Sequence, residues 1–174
     1  VRYSALAWGD YDGDGDLDLV VSGMSADGSA RTLLYRNART DRSRSGKPFD
    51  GRPILEEDVP NTQRLINLVQ GNLAWGDYDN DGDLDLALAG FGTDGFRQTL
   101  LYLNQPTGTL VPDNQNADLA PLSNGSLAWG DYDNDGDLDL ALAGWNGEWE
   151  ATLKLYTNAA GILRENLTSG STPI

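Results

Sequence analysis

The chain has 174 residues, of which 39% are hydrophobic, and a formal net charge of −15. This composition predicts a globular protein with one domain-sized core, and the negative charge argues against nucleic acid and anionic membranes as partners. Cysteine and histidine are absent, which excludes disulfides, thiolate chemistry, imidazole bases and most zinc sites.

No apolar run approaches the roughly 18 residues needed to span a membrane, so we do not expect membrane insertion. The sequence does not begin with Met. We interpret it as a processed product or a piece of a longer chain.

A nine-residue acidic loop occurs three times, at 10–18, 77–85 and 131–139. Its five carboxylates repel one another unless a cation lies between them, and a donor set of oxygen atoms alone selects a hard cation. The loops therefore predict three Ca²⁺ ions per chain. The predicted metal ligands are Asp10, Asp12, Asp14, Asp16, Asp18, Asp77, Asp79, Asp81, Asp83, Asp85, Asp131, Asp133, Asp135, Asp137 and Asp139.

The spacing assigns a role to each position of the loop. Side chains at the first, third and fifth positions, the backbone carbonyl at the seventh and the carboxylate at the ninth are the expected donors. Glycine at the sixth position (Gly15, Gly82, Gly136) permits a sharp turn with positive φ. An EF-hand is excluded, because it has Glu at the twelfth position and helical flanks. Metal-free Asp-rich turns remain an alternative.

The three copies stay similar beyond the loops. Leu-Ala-Trp-Gly precedes each loop, and a Tyr-x-Asn follows it, as expected for a repeat architecture. Each copy has one strand before the loop, one after it, a third ending at Tyr-x-Asn, and a weaker fourth at 53–57, 109–111 and 162–164. The sequence predicts an all-β fold of three four-stranded antiparallel β-propeller blades.

The expected blades are 1–67 with a basic insertion at 38–52, then 68–121 and 122–167, with a tail or linker at 168–174. Along 84–90, Leu side chains occupy one strand face and Ala side chains the other. Such a sheet can stack on a copy of itself, large side chains against small ones. We therefore interpret Trp8, Trp75 and Trp129 as packing residues between blades.

The repeated motif Trp-Gly-Asp-Tyr-Asp-x-Asp-Gly-Asp-Leu-Asp-Leu resembles the FG-GAP or VCBS-type repeats of integrin α-subunit propellers and of many bacterial surface and secreted propeller proteins. The resemblance implies a calcium-binding hairpin loop between the first two strands of each blade, with ligands at the Asp positions named above. It also implies extracellular recognition or adhesion, in a family that includes lectins and propellers attached to enzymes.

Closed propellers have about four to eight blades, so three blades leave an apolar face at each end. We expect either a piece of a longer propeller or a chain whose third blade accepts the first blade of another copy, in a ring or a filament. Further propeller blades or other copies of the chain are thus the expected partners. The calcium loops indicate an extracellular or cell-surface location, because calcium is millimolar there.

Four aromatic residues lie in the loops between the second and third strands, on the side opposite the acidic loops: Phe91, Phe96, Trp145 and Trp149. They can bind a glycan by stacking, or serve in packing or subunit contact. The basic insertion is interpreted as a solvated loop, with an acidic partner site as the alternative. Asn124 and Asn166 match the N-glycosylation pattern.

The sequence therefore predicts a non-catalytic, calcium-stabilised extracellular module for protein recognition, adhesion or self-assembly. A lectin-like propeller is the first alternative. The second is the propeller part of a polysaccharide-acting enzyme, in which a carboxylate pair supplies acid and base. The clustered carboxylates outside the acidic loops are Glu56, Glu57 and Asp58, and Glu148 with Glu150.

Overall fold

The computed structural model describes residues 2–37, 55–147 and 150–166. The predicted basic insertion, Trp149 and the tail 168–174 lie outside these residues. Within them the chain forms twelve strands in three four-stranded antiparallel sheets, each with its strands in chain order. The all-β prediction is confirmed: the sheets are propeller-like blades, and they do not close into a ring within the described part of the chain.

The first sheet contains β1 (Arg2–Gly9), β2 (Asp18–Met24), β3 (Ala30–Asn37) and β4 (Leu55–Glu57). The second contains β5 (Leu68–Gly76), β6 (Asp85–Gly92), β7 (Arg97–Gln105) and β8 (Thr109–Pro112). The third contains β9 (Ser123–Gly130), β10 (Asp139–Trp145), β11 (Ala151–Ala159) and β12 (Ile162–Glu165).

One short helix, α1 (Val59–Thr62), lies between the first and second sheets. Asp58 is its N-cap and accepts the N–H of Asn61 at 3.0 Å, as short polar side chains do at helix starts. No helix in the described ranges has the length and apolar character needed to cross a membrane.

The hydrophobic core lies between the sheets, because both faces of the middle sheet are covered. Leu86 and Leu88 on β6 pack with Val20 and Leu34 of the first sheet. Ala87 and Ala89, on the opposite face of the same strand, pack with residues of the third sheet. At the contact with the third sheet these small side chains thus meet the larger Leu140 and Leu142, which is how the two sheets reach interior packing density.

Each internal contact between sheets centres on one tryptophan. The Trp75 ring stacks on Tyr11 of the first sheet, with centroids 5.8 Å apart, and Trp129 stacks on Tyr78 of the second at 5.4 Å. Trp8 was expected to pack in the same way, but its side chain is 52% exposed. The reason is positional, since no described sheet lies against the outer face of β1.

The two kinds of tryptophan predict different costs of truncation. Trp129→Ala should lower the free energy of unfolding by about 3 to 5 kcal/mol, because it leaves a cavity between the second and third sheets. Trp8→Ala should cost far less, because its ring is already half in water. Denaturant unfolding at low protein concentration in calcium measures both. Equal losses for the two variants would contradict this view of the packing.

Candidate metal centres

Each acidic loop connects the first two strands of its sheet. The ninth residue of the loop pairs directly with the glycine that precedes the loop: Gly9 with Asp18, Gly76 with Asp85 and Gly130 with Asp139. This pairing closes the hairpin, so the two ends of the loop lie side by side. Carboxylates that are eight residues apart in the sequence are thereby brought together.

Three of the five carboxylates in each loop form a close group. Oxygen atoms of the first, third and ninth residues lie within 4.8 Å of one another in all three loops. The groups are Asp10, Asp12 and Asp18, then Asp77, Asp79 and Asp85, then Asp131, Asp133 and Asp139. In the described structure the side chains of the fifth and seventh residues (Asp14, Asp81, Asp135; Asp16, Asp83, Asp137) are not part of these groups. At the seventh position the predicted donor is the backbone carbonyl, and this stays a prediction.

The loop backbone folds around the first carboxylate. Gly15 donates its N–H to Asp10 Oδ2 at 2.9 Å, and Gly82 donates to Asp77 Oδ2 at 3.1 Å. The sixth-position glycines have φ of 92°, 96° and 99°. A Cβ atom at these glycines would meet nothing within 4 Å, so the requirement for glycine is conformational and not a matter of space.

The ninth carboxylate anchors the loop to the rest of its sheet. Asp85 is fully buried and accepts the N–H of Asn104 at 2.8 Å and the N–H of Tyr78 at 3.3 Å. Asp18 and Asp139 make the equivalent two bonds. The Tyr of the loop and the Asn of the Tyr-x-Asn motif are therefore both partners of one buried carboxylate.

Burial without a cation is unfavourable for these carboxylates. Loss of hydration raises the pKa of Asp18 to about 6 and that of Asp85 to about 7, against the hydrogen bonds from Asn37 and Asn104, which lower it. Asp10 Oδ1 and Asp77 Oδ1 are buried and have no hydrogen-bond partner among the described residues. Oxygen-only groups with unpartnered buried atoms fit a hard cation such as Ca²⁺.

A polar clamp joins neighbouring sheets beside each of the first two loops, and sequence reasoning missed it. The hydroxyl of Tyr11 donates to Asp58 at 2.5 Å, and Asn61 donates to Asp58 at 3.0 Å and to the carbonyl of Gly108 in the second sheet at 2.8 Å. Burial and Asp58 raise the pKa of Tyr11, so its hydroxyl remains a donor.

The same clamp recurs between the second and third sheets. Tyr78 donates to Asp113 at 2.7 Å, and Asn116 donates to Asp113 at 2.5 Å and to the carbonyl of Gly161 at 2.9 Å. The sequence signal is an Asp-x-x-Asn after the fourth strand. It reads as an ordinary turn, because nothing local reveals that its partners lie in two different sheets.

The three candidate ligand-binding aromatics within the described residues, Phe91, Phe96 and Trp145, lie at the opposite end of the strands. Trp145 is 39% exposed and Phe96 is 69% exposed, whereas Phe91 lies under the guanidinium of Arg97, 5.7 Å from its ring centroid. Trp145 and Arg97 line one shallow surface cavity with Asn124 and Gly147. Arg97 was not singled out by sequence reasoning, because a single Arg carries no pattern.

The two glycosylation candidates occupy different settings. Asn124 is exposed on β9, at a bulge where its φ is 51°. Asn166 donates its side-chain N–H to the hydroxyl of Tyr132 at 2.7 Å and its backbone N–H to the carbonyl of Leu155 at 2.8 Å. Glycosylation at both residues stays a prediction.

The fold and these loops define a class: stacked propeller-like blades, each with an acidic hairpin that can hold a metal ion. Residues 77–142 match the family model of the FG-GAP-like repeat. This stretch, which holds the second and third acidic loops, is therefore similar to FG-GAP-type repeats. No curated protein matches the chain significantly.

The raised pKa of Asp85 predicts proton release on calcium binding. The folded value of about 7 exceeds the ordinary 3.8, so protonated Asp85 favours the metal-free fold; this contribution is complete below pH about 4 and is lost as the pH rises through about 7. Calcium binds the ionised form, so calcium affinity should fall as the pH drops below about 7.

Calorimetric calcium titration at neutral pH, in buffers of different ionisation enthalpy, measures the protons released. Asp85→Asn should release fewer protons than the wild type and bind calcium more weakly at the second loop. The exposed Asp94, outside the loops, offers the control Asp94→Asn. Equal proton release by wild type and Asp85→Asn would show that Asp85 is ionised before calcium arrives.

Proposed function

We propose that this protein is a non-catalytic, calcium-stabilised extracellular module for protein recognition or adhesion. The observation that carries the proposal is the repeated group of three carboxylates within 4.8 Å, one of them buried, in all three loops. Such groups are stable when a divalent cation neutralises them, and weak calcium sites are filled where calcium is millimolar. FG-GAP-type repeats are typical of recognition modules.

Calcium in these loops would have a structural role. The ion would lie beside the ninth Asp, which holds the loop Tyr through its N–H. That Tyr in turn presents its ring to Trp75 or Trp129 of the next sheet. Calcium is thus expected to stabilise the loop and, through the Tyr, the contact between sheets.

The binding surface for a partner is proposed at the strand ends opposite the loops. Trp145 and Phe96 are exposed there beside Arg97, and exposed aromatics with Arg are enriched where proteins bind partners. The same aromatics favour a lectin as the second candidate, because aromatic rings stack on sugar rings. A glycan array, followed by Trp145→Ala, separates the two candidates: glycan binding that the variant loses would favour the lectin.

The enzyme alternative receives less support from the contacts of its candidate carboxylates. Asp58 accepts hydrogen bonds from Tyr11 and Asn61 in the clamp between sheets, so it has a structural task. Glu148 lies outside the described residues. We therefore propose recognition and not turnover, and incubation with a panel of polysaccharides tests this choice.

Removal of one metal ligand predicts a calcium-dependent loss of stability. Extracellular calcium modules have dissociation constants of about 10⁻⁴ to 10⁻³ M, and at ten times the dissociation constant each independent site adds roughly 1.4 kcal/mol. Asp133→Ala should lose one ion and lower the melting temperature in calcium, with little effect in chelator. Asp133 is exposed, so the change leaves packing intact.

The exposed Asp118, outside the loops, offers the matched control Asp118→Ala, which should bind three ions and melt like the wild type. Ion stoichiometry by calorimetry and melting by circular dichroism measure both variants. If a chelator leaves the melting temperature of the wild type unchanged, calcium has no structural role in these loops.

A further inference from the structure

The two internal contacts between sheets use the same set of interactions. Trp75 covers Gly9, where an added Cβ would lie 2.6 Å from its ring, and Trp129 covers Gly76, where the distance would be 2.7 Å. The tryptophan of one sheet therefore packs directly over a glycine of the neighbouring sheet. The Tyr two residues after that glycine stacks on the same tryptophan ring.

Hydrogen bonds repeat with the same regularity. Asn104 donates its side-chain N–H to the carbonyl of Tyr11 at 2.6 Å, and Asn158 donates to the carbonyl of Tyr78 at 2.6 Å. Across the second contact, Asn80 also donates to Asp137 of the third loop at 2.7 Å. Each contact thus has one side that supplies the Trp and the Asn of the Tyr-x-Asn motif, here called the donor side, and one that supplies the Gly and the Tyr, here called the acceptor side. The bond from Asn80 runs in the opposite direction, from the acceptor side to the donor side.

The third sheet presents an acceptor side that no described residue covers. An added Cβ at Gly130 would meet nothing within 4 Å. Tyr132 is 49% exposed, whereas its equivalents Tyr11 and Tyr78 are 2% and 1% exposed. Asn134 has φ of 62°, matching the 61° of Asn80, so the third loop offers the same amide donor.

The first sheet presents the complementary donor side. Trp8 and Leu6 are exposed on β1, at 52% and 60%. Asn37 donates its side-chain N–H to the carbonyl of Leu17 in its own sheet, at 3.2 Å, as Asn104 and Asn158 do to the equivalent leucines in addition to their bonds across the sheets. Asp16 occupies the loop position equivalent to Asp137.

We infer that the first sheet of one copy of this chain docks on the third sheet of a second copy, so that Trp8 packs over Gly130 and stacks on the ring of Tyr132. Asn37 then donates to the carbonyl of Tyr132, and Asn134 faces Asp16. A second copy is the occupant because the two end surfaces are the two halves of one interface that the chain already builds twice.

The contact is head to tail, so each copy keeps one free donor side and one free acceptor side unless a ring closes. Two copies supply six sheets, within the range of closed propellers. The inference rests on the proposed function in one respect: the net charge of −15 opposes association, and calcium in the loops lowers that charge next to the docking surface.

Gly130→Val tests the acceptor side. Val is favoured in strands, and the direction of its Cβ at position 130 is open, so the variant should fold normally. Its methyl groups, however, fill the space over residue 130 that the ring of Trp8 needs for docking. Trp8→Ala tests the donor side, and Leu6→Glu serves the same purpose if Trp8→Ala fails to fold. Asp94→Asn, in the exposed loop between β6 and β7 at the far end of the strands, is the control that should assemble like the wild type.

Size exclusion with light scattering in millimolar calcium gives the readout. The wild type should exceed the mass of one chain, whereas Gly130→Val and Trp8→Ala should each run as single chains. An equimolar mixture of these two variants should form a discrete dimer, because the intact Trp8 of one fits the intact Gly130 of the other while the second contact is blocked.

Wild type that runs as a single chain at all concentrations would overturn the inference, as would variants that still assemble alone or a mixture that stays monomeric. Calcium stoichiometry and melting temperature are measured on the same variants. If the wild type binds three ions but does not assemble, the docking is rejected and the proposed calcium-stabilised module is kept. If the wild type binds no calcium, the calcium-stabilised module itself is rejected.

Discussion

The structure depends on one buried carboxylate in each sheet, the ninth residue of the acidic loop. In the second sheet Asp85 holds the N–H of Tyr78 in the loop and the N–H of Asn104 in the third strand. A charge buried in this way is costly unless a cation or a proton offsets it. The two other carboxylates lie within 4.8 Å of it, so one cation could offset the charge of all three.

The loop Tyr that donates its N–H to this carboxylate also determines how the sheets stack. The N–H bond to the carboxylate fixes the loop Tyr, whose carbonyl receives the Asn of the next sheet and whose ring lies under the next Trp. Its hydroxyl meets the Asp of the clamp. One Tyr therefore joins the acidic loop, the core between sheets and the polar clamp, so local loop geometry and the stacking of sheets are physically coupled.

Much of the fold was predictable because its determinants are local and repeated. The alternation of Leu and Ala on β6 predicts two apolar faces, and the structure places them against different sheets. That carboxylates of each loop come close enough to hold a metal ion was predictable in kind, since five of them alternate within nine residues. Which three of the five come together was not, because it depends on the strand pairing of Gly76 with Asp85. The clamp formed by Asp58 and Asn61 escaped prediction because its partners are 47 residues away from each of them.

The sequence by itself determined the strand order, the three acidic loops and their preference for a hard cation, because these follow from side-chain alternation, turn-forming glycines and donor chemistry within a few residues. Only the tertiary structure decided which copies of a repeated residue are buried. Trp8 and Trp129 stand in the same motif, yet Trp8 is half exposed and Trp129 is stacked on Tyr78. Whether a residue is buried depends on the two surfaces that meet there, and the sequence around the residue does not specify which surface covers it.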